Sequence, residues 1–170
     1  MREVYRYVAD YLLTMTFYML ASVAMHAAFH YSAVTWLGGR AEVTFTTHAL
    51  IWTGDIVRWI EPLPPGSSIW HYAFCYWAGG GLTGLSFIVK LLFDKDIEDR
   101  LFEAVFGGFH LGYASIGEMW APWVFEGYHF LAALGGLVGS LIGFLWWARG
   151  PGKEYFRPLK AKLRRWLGGG

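Results

Sequence analysis

The sequence predicts an all-α integral membrane protein: a four-helix bundle with an amphipathic helix on its outer surface and a basic interfacial segment at its C-terminus. Three observations carry this prediction. Hydrophobic residues make up 55% of the 170-residue chain and charged residues only 16%, a balance too apolar for a soluble domain of this size. Long apolar runs reach the roughly 20 residues that a helix needs to cross a bilayer. Basic residues are gathered into a few short blocks, so the formal net charge of +1 hides a strong segregation.

The first apolar run, 8–37, is longer than the apolar part of a signal peptide and has no clean small-residue cleavage site beyond it, so it is expected to remain as a helix. The second and fourth crossings are placed at 69–93 and 123–147. The third, 101–120, contains Glu103, His110 and Glu118 but has the right length and must return the chain across the membrane. Between the first two crossings, Phe45, Trp52, Ile56, Trp59 and Ile60 recur near helical spacing with Asp55, Arg58 and Glu61 on other faces, which predicts an amphipathic outer helix. It is expected to end at Pro62-Leu63-Pro64-Pro65-Gly66. After Pro158, the stripe Leu159, Leu163, Trp166 and Leu167 among basic residues predicts a helix lying on the inner leaflet.

Orientation follows from the retention of Lys and Arg in the cytoplasm. Twelve basic residues, from Arg2 and Arg6 through Lys90, Lys95 and Arg100 to the tail from Arg149, fall on one side, and two, Arg40 and Arg58, on the other. Both termini are therefore expected in the cytoplasm of a multi-pass protein of the cell membrane. Nucleic acid binding is not indicated. The single cysteine, Cys75, excludes an internal disulfide, zinc ribbons and iron–sulfur clusters, so any metal must be held by nitrogen and oxygen. The chain lacks Asn and Gln altogether, a bias reported for thermophiles.

Ionisable groups in the crossings mark ion, proton or cofactor sites because they are costly there. Counted inward at 1.5 Å per residue, His30 and His129 lie roughly 10 Å deep, with His26 and His110 slightly deeper. His26 and His30 share a face of the first helix, Glu126 and His129 a face of the fourth, and Glu103 and His110 a face of the third. His48 and His71 fall at the outer surface. Two axial imidazoles from His26, His30, His110 and His129 would hold a haem b. Alternatively, His26, His30, Glu126 and His129 would bind copper or iron. A di-iron carboxylate site needs two Glu-x-x-His motifs, and only Glu126-Gly-Tyr-His129 is present. Glycines at 79–81, 84, 107, 108, 112, 135, 139 and 143 provide either close helix packing or room for a flat porphyrin.

The run Glu118-Met-Trp-Ala-Pro-Trp-Val-Phe-Glu126, followed by His129-Phe130, resembles the C subunit of membrane-bound ammonia and particulate methane monooxygenases. Trp70-His71 at the start of the second helix and the Asp94-Lys95 turn add to the resemblance. It implies copper held by His71 and His129 with Asp55 as ligand carboxylate. The histidine that the family pattern places four residues after that carboxylate is Trp59 here. No nucleophile motif, phosphate loop or nucleotide fingerprint is present, so the chain is expected to act as a subunit. Its partners would be lipid, other membrane subunits and a quinone, in an electron-transfer complex with haem b, in a copper monooxygenase, or as a cofactor-free accessory.

Overall fold

The computed structural model describes residues 2–43, 57–124 and 128–157. Helix α1 spans Arg2–Trp36, strands β1 and β2 span Arg40–Val43 and Val57–Glu61, and helices α2, α3 and α4 span Ile69–Phe93, Ile97–Gly112 and Tyr128–Arg149. Three of these helices, over Val8–Trp36, Ile69–Phe93 and Tyr128–Arg149, are long and apolar enough to cross a membrane. The third helical run is not among them. It begins at Ile97, continues as a wide π turn over Tyr113–Gly117 and tightens to a 3₁₀ turn over Glu118–Trp120.

The distribution of side chains is the reverse of that in a water-soluble protein. Leu13, Phe17, Leu92, Phe93, Phe130 and Leu137 are all exposed, whereas Ser22, His26, Thr83, Glu103, His110 and Glu118 are buried. Apolar surface facing outward incurs little cost when the surroundings are lipid, and polar groups then gather where other helices can satisfy them.

The helices pack in chain order, α1 on α2, α2 on α3 and α3 on α4, with no substantial contact between α1 and α4 among the described residues. Glycines bring α3 and α4 backbone to backbone. A Cβ on Gly108 would strike the carbonyl of Gly139, one on Gly112 that of Gly135, and one on Gly143 that of Ala104. Close approach of this kind replaces hydrophobic burial as the source of helix association in lipid. These glycines are therefore consumed by helix packing.

Local chemistry sets the ends of the elements. Gly38, at φ +81°, ends α1, and its N–H bonds the Thr35 carbonyl at 3.0 Å, because only glycine enters the left-handed region without strain. Ser68 caps α2 reciprocally with His71, whose Nδ1 accepts from the Ser68 N–H at 2.9 Å. Asp96 caps α3 by accepting from the N–H groups of Glu98 and Asp99. Trp147 of α4 closes over the start of α3, donating its indole N–H to the Ile97 carbonyl at 3.0 Å.

Two expectations need correction. The predicted amphipathic outer helix is not helical where it is described: Val57–Glu61 is a strand, paired antiparallel with Arg40–Val43 and bulged between Arg40 and Ala41. The hairpin makes the fold not purely α. The rest of that stretch, 44–56, lies outside the described residues, as does the basic segment after Arg157.

Candidate metal centre

The buried face of α1 carries His26 and His30, one turn apart. His30 sits against α2: its Nδ1–H donates to the Cys75 carbonyl at 2.7 Å. A carbonyl can only accept, so in the neutral ring Nε2 is left with its lone pair, the form that binds a metal. The ring occupies a notch left by Gly79, where a Cβ would overlap it. His26 is 1% exposed, and its Nε2 lies 2.9 Å from Nε2 of His30.

Glu118 completes the group. Its Oε1 is 3.3 Å from His26 Nε2 and 3.5 Å from His30 Nε2. The three residues are the one set among the described residues whose ligand atoms lie close enough together to hold a metal ion. His110 flanks the set, its ring centroid 5.6 Å from that of His26. Glycine at position 80 makes room for the carboxylate, since a Cβ there would stand 3.2 Å from Glu118 Oε2.

The π turn explains how Glu118 reaches this place. Eight residues beyond His110, an ideal α-helix would have turned about 80° off the His110 face. A π turn rotates less per residue. Five residues of it, Tyr113–Gly117, carry Glu118 back onto roughly the same side. On a straight helix Glu118 would stand about a quarter turn off the His110 face, which is why spacing alone does not mark it as a ligand.

Of the four histidines predicted to converge, the structure brings together His26, His30 and His110. His129 is on α4, its ring tilted against that of Tyr128 with centroids 3.8 Å apart, and is not in the ligand set. His71 is exposed and serves as a helix cap. Glu126, Asp55 and His48 lie outside the described residues.

A second ionisable cluster lies at the other end of α1–α3. Glu103 is fully buried; it is paired with Lys90 and accepts a hydrogen bond from the Tyr18 hydroxyl at 3.3 Å. Lys90 also donates to Tyr18 at 3.0 Å and to Asp94 at 2.8 Å. The ammonium beside Asp94 and the Asp96 N–H hold the Asp94 carboxyl down at about 2.

Neither family models nor curated proteins match the sequence, and no solved structure matches the fold.

Proposed function

We propose that the chain is a membrane-embedded subunit of an oxidoreductase complex in which His26, His30 and Glu118 hold one first-row transition ion, copper or iron. The triangle of ligand atoms carries this reading. Two ligands at ~2.1 Å from a metal stand about 3.0 Å apart at a right angle and about 3.4 Å apart at the tetrahedral angle. The edges of the triangle measure 2.9, 3.3 and 3.5 Å. Two imidazoles and one carboxylate suit copper and iron, and a bare His–His–carboxylate face leaves further positions open for substrate or electron exchange.

A haem b fits this geometry less well. Its axial imidazoles must stand on opposite faces of the macrocycle, whereas His26 and His30 share one helix with Nε2 atoms 2.9 Å apart. The glycines of α3 and α4 that would receive a ring edge are closed on each other. The resemblance to the monooxygenase C subunit bears on the reading through Glu118, which opens the shared motif and belongs to the ligand set. Of the ligands it implied, His71 and His129 are not in that set, and Asp55 lies outside the described residues.

The segregation of basic residues supports a cytoplasmic location for both termini and for the turn at Asp94. The exposed apolar faces of α1 and α4 are available to lipid, to other membrane subunits and to a quinone as electron partner. Metal analysis and the visible spectrum of the chain, purified in its native complex, test the proposal. One copper or iron per chain, lost in Glu118→Gln, is expected; reduced haem bands, or no bound metal, would reject it.

A further inference from the structure

A groove of about 650 Å³ opens along α1 where it faces α2 and the start of α3. Tyr18 and Phe87, each at most 5% exposed, form its floor, and Leu13 and Phe17, 71% and 67% exposed, stand at its lip. Its lining on α1 runs from Leu13 to Met25, roughly 18 Å along the helix axis. The hydrocarbon of one leaflet is about 15 Å deep, half of the ~30 Å core of a bilayer. Lys90 and Asp99 also border the groove. From Ile69, where α2 begins, to Lys90 is roughly 32 Å, so Lys90 stands at the boundary between hydrocarbon and headgroups. The groove therefore spans one leaflet, apolar through its depth and polar at the membrane surface that bears Asp94.

At the polar end the hydrogen atoms are committed. Lys90 gives its three to Glu103, Asp94 and Tyr18, and the Tyr18 hydroxyl gives its own to Glu103. Neither residue has a donor left for a carbonyl-headed ligand such as a quinone. What remains is an acceptor: no described side chain donates to the Asp99 carboxylate. Asp94, Asp99 and Glu103 also outnumber the one ammonium among them, so a headgroup of net negative charge is repelled and a positively charged donor is complementary. Thr14, one turn before Tyr18 on the same face of α1, lines the groove as well, and its hydroxyl suits the ester oxygens of a glycerolipid.

We propose that this groove binds one phospholipid of the leaflet on the Asp94 side, with a headgroup that carries a primary ammonium, as in phosphatidylethanolamine. One acyl chain lies over Tyr18 and Phe87, passes between Leu13 and Phe17 and reaches towards Met25. The ammonium donates to Asp99. The headgroup chemistry sets the selectivity: phosphatidylcholine keeps the positive charge but has no N–H to donate, and phosphatidylglycerol brings net negative charge to a site already rich in carboxylates. The lipid site does not depend on an ion at His26, His30 and Glu118.

The test equilibrates the full chain in detergent micelles with equal amounts of phosphatidylethanolamine, phosphatidylcholine and phosphatidylglycerol of matched acyl chains, together with decylubiquinone, and counts retained molecules by native mass spectrometry. One phosphatidylethanolamine per chain should be retained about fivefold over the other lipids, the worth of one interfacial ion pair. Asp99→Asn should bring phosphatidylethanolamine down to the level of phosphatidylcholine. Ala21→Trp, which fills the groove from α1, should lower retention of every lipid with unchanged helical content, whereas Leu141→Trp on the exposed face of α4 should leave it as it was. Equal retention of the three lipids, preference for phosphatidylglycerol or the quinone, no retained lipid, or a preference that survives Asp99→Asn would overturn the site.

Discussion

His30 donates its Nδ1 hydrogen to the carbonyl oxygen of Cys75 over 2.7 Å, and this bond decides which nitrogen faces Glu118. The acceptor is backbone, so substitution of the Cys75 side chain leaves it in place. What can move the ring is the floor beneath it. At Gly79 a methyl group would occupy the space of the imidazole. Gly79→Ala is therefore expected to displace His30 and weaken metal binding about 10- to 100-fold, the range typical of lost ligand orientation, whereas Cys75→Ala retains the metal. Metal titration of the two variants in detergent separates orientation from side-chain chemistry.

Glu103 and Lys90 form an ion pair at the end of α1–α3 away from the His26–His30–Glu118 cluster. Breaking a buried pair from one side costs about 3–5 kcal/mol because a charge is left alone. Lys90 is half exposed, so its fate is the milder one. Lys90→Met should destabilise by about 3 kcal/mol, and Lys90→Met with Glu103→Gln should recover most of that loss. Unfolding in mixed micelles measures both, and a double variant no more stable than the single one would contradict the pairing.

The α3–α4 contact predicts a different sensitivity. Gly108, Gly112, Gly139 and Gly143 each face backbone at a separation that excludes a Cβ. Gly112→Val or Gly139→Val must push the helices apart, at a cost of about 1–3 kcal/mol or more. By contrast, Gly66, at a turn with nothing near its missing Cβ but with φ at +93°, should tolerate Asn and disfavour Val. Thermal unfolding of the set distinguishes interface packing from backbone strain.

The same contrast shows what was legible in the sequence. Three apolar helices were readable because length and composition alone define them, and the histidines of α1 because a four-residue spacing survives any helix of normal pitch. The start of α3 was placed four residues late, although Asp96 followed by Glu98 and Asp99 is a capping signal. The hairpin was hidden because β2 is five residues long and its partner lies outside any local window, so that its pattern reads equally as part of a helix. Glu118 was missed because a π turn changes the rotation per residue, and nothing local announces one.

Asp94 supplies a pH dependence. Its carboxyl is held at about 2, below its ordinary 3.8, by the Lys90 ammonium and the Asp96 N–H. A depressed carboxyl stabilises the fold in its charged form, so the contribution is fully present above pH ~4 and disappears as the pH falls through about 2. Wild type should lose thermal stability between pH 4 and pH 2 by more than Asp94→Asn, which lacks this titration. Parallel melting curves for the two proteins across that interval would show that the Lys90–Asp94 contact carries no stability.

Topology can be read with unusual economy because the only cysteine, Cys75, is buried. In a Cys75→Ala background, one cysteine at Lys95 and another at Pro65 report on opposite ends of α2, both from exposed positions. The twelve-to-two partition of basic residues predicts that Lys95→Cys reacts with an impermeant maleimide only after the cells are opened, while Pro65→Cys reacts in intact cells. Labelling of Lys95→Cys from outside would reverse the orientation.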